Sequence, residues 1–398
     1  MEDFIRRVHA ALDERGLSIR EVSRALHYDH AYLSRVLAGK QRPSRRMARR
    51  LDDLLGADGS IADKVTPRVP SQPSESREPT LADFLPDGDP LAPLKARRGR
   101  RIGAQDVSDL AARVHGLRLA DDVIGGRDTL PRALRELRSA VALYREGVHT
   151  DEVGRALLAE VAELAQIAGW IASDAGNHAD AENAYRLGLS AAERAGDATL
   201  AGQLLSTLSY QVANVGEPRE AVAMAHAAVE RARTVAPPRA RALFFDRLAW
   251  AHTKAGDVQP AIRALSEAHE ALTTRAPEPD PSWLYWVSED ELEIMDARVF
   301  TELHRPLRAV PLLSRVLDRY DAAHARELAL YLSWLAMAYA DANEPGQAAA
   351  VAERMFAMSA SVASARTDTR ADAVRTRLTE YREVPEVRSV LSLDHTSP

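Results

Sequence analysis

Apolar residues recur every three to four positions along most of the chain, the spacing of helices that each bury one face. Ile5, Val8 and Leu12 set this period between Asp3 and Arg15, and Gly16 stops it. Ser18-Ile-Arg-Glu21 has the form of a capping box and predicts a second, two-turn helix over about residues 19–26. His27-Tyr28-Asp29 then makes a short turn with Asp29 as N-cap, and a third helix runs from His30 to about Ala38 with Leu33, Val36 and Leu37 inward. Gly39 ends it, and Pro43-Ser44 opens a fourth whose Met47, Leu51, Leu54 and Leu55 keep helical spacing as far as Gly56. From Ala57 to about Gly103 the period fades and seven prolines appear, which predicts a semi-extended tether.

Beyond the tether the pattern repeats. Five segments align on a turn followed five residues later by alanine: from Gly176, Gly216, Gly256, His304 and Asn343, at spacings of 40, 40, 48 and 39 residues. Seven residues before each turn stands a small residue (Gly169, Ser209, Ala249, Ala297, Ala336), and the alanines after it are Ala181, Ala221, Ala261, Ala309 and Ala348. Small residues at fixed places let two antiparallel helices approach closely, and a helical hairpin that cannot bury its own face must stack on its neighbours. Residues 106–147 read as a degenerate leading hairpin and 371–381 as a closing helix.

Composition agrees with an all-α chain: 46% hydrophobic but 5% aromatic, dominated by Ala, Leu and Arg. The absence of cysteine excludes disulfides, thiolate metal sites and a Cys nucleophile. Residues 1–16 lack the order of a secretory signal, and no run approaches 18 consecutive apolar residues, so a cytoplasmic protein with no membrane partner is expected. The net charge of −6 is uneven: residues 1–56 hold 12 basic against 8 acidic side chains, while residues 104–398 stand at −11. A basic head on an acidic body suits a head that alone meets a polyanion. No phosphate-binding glycine loop, zinc-binding HExxH or GxSxG nucleophile motif occurs, so neither catalytic residues, metal nor cofactor are expected.

The stretch LSIREVSRALHYDHAYLSRVLAGKQRPS resembles the Xre or phage Cro/repressor family of helix-turn-helix domains over about residues 3–56, with Leu17, Val22, Leu26, Leu33 and Val36 at the family's core positions. Ile19 departs from it, standing where many members carry a polar residue that touches phosphate. The resemblance implies that residues 30–38 form the recognition helix, with His30, Ala31, Tyr32 and Arg35 facing base edges in a major groove. Arg35 is the strongest candidate, since a guanidinium bonds guanine O6 and N7 together. Arg20, Lys40, Arg42, Arg45 and Arg46 would hold backbone phosphates; the bland alternative is an ordinary solvated face. Lys95 to Arg101 has two readings, a flanking phosphate contact or a solvated linker end.

The repeats resemble tetratricopeptide repeats, stretched to about 40 residues, over roughly 150–380. With RRIGAQDV before the array and WLYWVSEDELE within it, the layout is similar to the actinobacterial Xre-type regulators with tetratricopeptide-like C-terminal domains. That likeness implies transcription control. In such arrays the first helix of each hairpin lines a concave groove, where Trp170, Tyr210, Trp250, Arg298 and Met337 would stand six residues before each turn. The aromatics form a candidate platform for an extended peptide or flat small molecule, with Gln166 and Asp246 beside them. Nearer the turns, Asn214 could bond a peptide backbone, and Lys254 or Arg298 a carboxylate. Packing without a ligand is the alternative reading of these aromatics, and Trp283 and Trp286, in the insertion behind the 48-residue spacing, are expected only to pack.

The expected organisation is a helix-turn-helix domain at 1–57, a linker at 58–103, a tetratricopeptide-like solenoid at 104–385 and a flexible tail at 386–398. The expected function is a homodimeric regulator that binds double-stranded DNA at an inverted-repeat operator and answers to a peptide or small-molecule effector. The other reading is a scaffold that recruits a protein partner through the array and uses the head for localisation.

Overall fold

The computed structural model describes residues 2–26, 30–38, 45–57, 60–61, 84–85, 90–91, 99–123, 126–274, 279–319, 325–359 and 364–392. The chain divides into two compact units, residues 1–77 and residues 78–398. Among the described residues both are helical, and the one extended pairing is an isolated bridge between Arg101 and Val148.

The N-terminal unit contains α1 (Glu2–Arg15), α2 (Ile19–Leu26), α3 (His30–Leu37) and α4 (Arg45–Leu55). Its core joins Phe4, Val8 and Leu12 of α1, Val22 and Leu26 of α2, Leu33, Val36 and Leu37 of α3, and Met47, Leu51 and Leu55 of α4. Phe4 is fully buried and Ile5 only packs against the core, so the buried row of α1 runs 4, 8, 11, 12 rather than starting at Ile5. The capping box forms as the sequence predicts. Glu21 accepts from the Ser18 backbone N–H at 2.8 Å, and Ser18 Oγ accepts from the Glu21 N–H at 3.3 Å. Gly16 takes a left-handed φ of 63°, which lets Leu17 N–H reach back to the Leu12 carbonyl. The unit does not stop at residue 57. Ala57 and Ile61 are buried, and Ile61 N–H bonds the buried Asp52 carboxylate at 3.0 Å, folding the chain back after α4.

The second unit is a stack of antiparallel helix pairs. α5 (Ala104–Val123) and α6 (Gly126–Glu146) lead; α7 (Asp151–Asp174) pairs with α8 (His178–Ala195), α9 (Ala198–Val215) with α10 (Pro218–Ala232), and α11 (Pro238–Lys254) with α12 (Val258–Thr273). Then come α13 (Glu289–Glu302) with α14 (Pro306–Leu317), α15 (Ala325–Asp341) with α16 (Pro345–Ser359), and the closing α17 (Ala365–Thr379) and α18 (Pro385–Ser392). The repeat signature acts as the sequence implies. Ala181, Ala221, Ala261, Ala309 and Ala348 are fully buried, and a side chain at Gly169 would strike the Tyr185 ring. The aligned turn residue is left-handed in four of the five hairpins. Gly176 and Gly256 carry it without strain, and His304 (φ 53°) and Asn343 (φ 60°) are the described non-glycine residues with positive φ. α7 alone among the described residues is long and apolar enough to cross a membrane, yet it packs on α5, α6, α8 and α9 as a core helix.

Two expectations at the edges of this unit need correction. Phe84, Leu91 and Ile102, placed in the linker, belong to the array's core, and Arg186 Nη1 holds the Phe84 carbonyl at 2.9 Å. These isolated apolar residues among prolines carry no periodic signal, so only the fold reveals their burial. Residues 385–392, placed mostly in a flexible tail, form α18, because Val387 and Val390 sit one turn apart and pack under α16 and α17.

The array also closes on itself. Arg326 of α15 makes a two-pronged pair with Asp121 of α5 at 3.2 and 3.3 Å and approaches Asp174 of α7 at 3.6 Å. Asp174, fully buried, accepts from Gly126 N–H at 3.1 Å and from Ser364 Oγ at 2.8 Å. Arg127 and Asp368 add an exposed pair at 2.7 Å. Burial pushes the Asp121 carboxyl up, against the pull of Arg326, to about 6. Local sequence gives no hint of this clasp, since its partners stand some two hundred positions apart.

Candidate functional site

In the N-terminal unit, α2 and α3 pack on each other and are braced by α1 and α4, the arrangement that frees the second of the pair to enter a major groove. Leu33, Val36 and Leu37 form the inward row of α3, which places positions 31 and 35 across the helix from it, 32 to one side and 30 beside the row at the helix start. His30, Ala31, Tyr32 and Arg35 thus share one eight-residue helix, and Arg45 and Arg46 open α4. Arg20 is exposed in the first turn of α2. Lys40 and Arg42 lie outside the described residues. In the segment before α5, Lys95, Arg97 and Arg98 also lie outside them, and Arg100 pairs with Asp106.

In the array, the inner faces of the first helices and the insertion before α13 enclose a cavity of about 460 Å³. The aromatic column exists. Trp170 and Tyr210 stack with ring centroids 6.0 Å apart, Tyr210 and Trp250 stand 6.3 Å apart, and Trp334 meets Trp250 edge-on at 5.7 Å. Its rings are interleaved with guanidinium groups rather than bare. Arg247 lies 4.2 Å from the Tyr210 centroid, Arg366 4.7 Å from Trp170, Arg298 4.8 Å from Trp250 and Arg370 3.6 Å from Trp334.

Of the residues singled out from sequence, Gln166, Trp170, Tyr210 and Arg298 line the cavity. The other four do not line it: three are held in internal bonds and the fourth, Asp246, is buried. Trp250 is 4% exposed, and its indole N–H donates to Asn214 Oδ1 at 3.2 Å. Asn214 Nδ2 in turn donates to the Tyr210 carbonyl at 2.7 Å, so both ends of that amide are occupied. Lys254 pairs with Glu302. Asp246 is buried behind the lining, where desolvation pushes its carboxyl up to about 7 even beside Arg247 and Arg298. Met337 does not line the cavity either.

The discrepancy lies between adjacent helical rows. In α7, α9 and α13 the residues six and nine before the turn line the cavity, Trp170 and Ile167, Tyr210 and Thr207, and Arg298 and Met295, whereas in α11 only Arg247, nine before the turn, does so. Gln166, ten before its turn, also lines it, while its counterpart Asp246 is buried out of reach. Positions 207 and 247 are equivalent in the repeat, but spacing alone does not choose between the adjacent rows. Trp283 packs in the core with Phe244 as expected, whereas Trp286 lines the cavity. Tyr285 beside it donates to Asp122 of α5 at 2.6 Å, so the insertion walls one side of the cavity.

The electrostatics of the site are set by its arginines. Burial alone would raise the Tyr210 hydroxyl, but Arg298, Arg366 and Arg247 outweigh it and bring the pKa to about 8. Arg298 Nη2 donates to that hydroxyl at 2.6 Å. Farther along the column, burial draws Arg370 down to about 10.

No curated protein matches the chain. Residues 5–63 match the family model of a helix-turn-helix domain, a stretch that takes in most of α1, all of α2 to α4, and the return to Ile61. The match lies wholly within the N-terminal unit, and there it agrees with the helix order, the capping box and the core rows. The chain carries a helix-turn-helix domain, the module of DNA-binding regulators.

Proposed function

We propose that the chain is a cytoplasmic transcriptional regulator rather than an enzyme, and that its tetratricopeptide-like array binds an effector and thereby alters the affinity of the head for DNA. The observation that carries the reading is the helix-turn-helix match over residues 5–63, together with the basic surplus of the same segment. A cavity of about 460 Å³ falls within the range of roughly 300–1,000 Å³ typical of small-molecule sites. Its walls, closed by the insertion and the Arg326 clasp, favour a small molecule or a short peptide end over a long extended segment.

The regulator acts as a homodimer, so two-fold symmetry sets an inverted-repeat operator with half-site centres about 10 bp apart or a multiple of this. Selection of binding sites from random duplex DNA with the full-length protein tests the proposal. An enriched inverted repeat is expected. Enrichment of no motif, with or without extracts that supply small effectors, would overturn the regulator reading and leave the scaffold as the better account.

A further inference from the structure

Among the described residues, six arginines and five carboxylates line the cavity, and the buried Asp246 carboxyl acts on two of the arginines, Arg247 and Arg298. Each lining carboxylate already has a partner within the fold. Asp121 and Glu327 hold Arg326, Asp290 accepts from Arg319 at 2.6 Å, Glu291 accepts from Tyr331 at 2.7 Å, and Asp122 accepts from Tyr285. Arg118 is held by Gln166 at 3.0 Å and Glu163 at 3.0 Å.

Three guanidinium groups remain around the Trp170 and Tyr210 rings. Arg247 is 5% exposed and lines the cavity; no described oxygen accepts a hydrogen bond from it, its guanidinium lies over the two aromatic faces, and the carboxyl that acts on it most strongly, Asp246, is itself pushed up to about 7. The nearest carboxylate to Arg366 is Asp174, 3.8 Å from its Nε and already held by Gly126 and Ser364. Arg298 gives one nitrogen to Tyr210, and its buried Nε has no partner. Clustering like charges in a half-dry wall is unfavourable unless something neutralises them, and an unpartnered guanidinium presents its donors in the fork that fits a planar oxyanion. The same field depresses the Tyr210 hydroxyl.

We propose that this cavity binds a small organic anion built on a planar ring, its carboxylate or phosphate held by Arg247 and Arg366 and its ring seated against Trp170 and Tyr210. The physiological role of the site rests on the effector-sensing reading above, whereas the binding itself does not. The effector is therefore acidic, and the neutral form of the same ring binds poorly, because it would leave Arg247 buried without an acceptor.

The test is isothermal titration calorimetry on the full-length protein with three probes of one shape: 1-naphthoate, 1-naphthyl phosphate and neutral 1-naphthamide. At least one anion is expected to bind saturably at one site per chain and at least about tenfold more tightly than the amide, the scale of a charge-assisted hydrogen bond. The ratio between the two anions identifies the oxyanion preferred. Arg247→Gln should weaken the anion about tenfold or more and leave the amide within twofold. Arg366→Gln, at a partly exposed position, should do the same to a smaller degree and serves if the buried variant fails to fold. Equal affinity for anion and amide, no saturable binding of either anion, or unchanged anion affinity in both folded variants would overturn the proposal. Anion binding that leaves operator affinity unaltered would instead overturn the regulatory coupling and leave the anion site standing.

Discussion

The two units build their candidate sites in opposite ways. The helix-turn-helix unit gathers its candidate base-reading residues within α3, a helix of eight residues, and its core is closed by neighbours less than sixty positions apart. The array assembles its cavity from Arg118 of α5 to Arg366 of α17, and it holds that cavity with a clasp between residues 121 and 326. A site made of local sequence depends on local folding alone, whereas one made by closure depends on the whole superhelix. The comparison predicts that damage to the clasp spreads through the array and leaves the head intact, and that damage to the head stays within it.

The largest effect should come from Arg326→Ala, which strands Asp121 as a buried carboxyl without its cation and leaves Asp174 only Gly126, Ser364 and the more distant Arg366. Breaking a buried pair from one side costs about 3–5 kcal/mol. Chemical denaturation should show that loss. Amide exchange should show it across α5 to α7 and α15 to α17, while α1 to α4 keep their protection. Loss of protection in α1 to α4 would break the comparison.

A second effect follows from Asp246, whose carboxyl sits at about 7. The folded state therefore holds a proton that the unfolded chain releases near pH 4, so folding is favoured at low pH, and this contribution is lost as pH rises from about 4 towards 7. Asp246→Asn removes that dependence. Relative to the parent, the variant should gain stability with rising pH by at most about 1.4 kcal/mol per pH unit over this window, and by nothing further above it. A flat difference between the two proteins from pH 4 to 7 would show that Asp246 is ionised in the fold.

How much of each site could be read from sequence follows the same division. The capping box at Ser18 and Glu21, the glycine stop at Gly16 and the inward rows of α2 to α4 are all short-range, and each appears where the spacing places it. In the array the turn and alanine repeats were legible for the same reason, and they also put Trp170 and Tyr210 together in one stack. What stayed hidden depends on how the hairpins pack against one another. In the packed array Arg247 rather than Asp246 lines the cavity, the Trp250 indole is bonded to Asn214, and Trp286 of the insertion reaches the wall. The clasp was invisible too: Asp121, Asp174 and Arg326 look like ordinary charged positions until the superhelix closes.

On the N-terminal side, Arg35→Ala should leave the fold and the salt-sensitive non-specific binding largely in place while removing sequence preference at one position per half-site. The loss should be about 1–3 kcal/mol of discrimination, measured by competition between matched and altered sites at fixed salt. A uniform weakening across all sequences would instead make Arg35 a phosphate contact.

The smallest effect sharpens the comparison most, because it isolates a single local element. Ser18 Oγ caps α2 by accepting from the Glu21 N–H, and Glu21 reaches back to the Ser18 N–H. Ser18→Ala removes the first of these bonds, at a cost of about 1 kcal/mol. Because α2 packs on α3 and α4 and shares their core, its first turn should fray before the unit as a whole unfolds. Amide exchange should quicken at residues 19–22, with little change in α4. The array should melt as before, since the bonds of its clasp join Asp121, Arg127, Asp174, Arg326, Ser364 and Asp368, all within the second unit. An equal loss of protection in α5 to α18 would mean that the array's stability depends on the head, and that the two sites fold as one cooperative body rather than as separate ones.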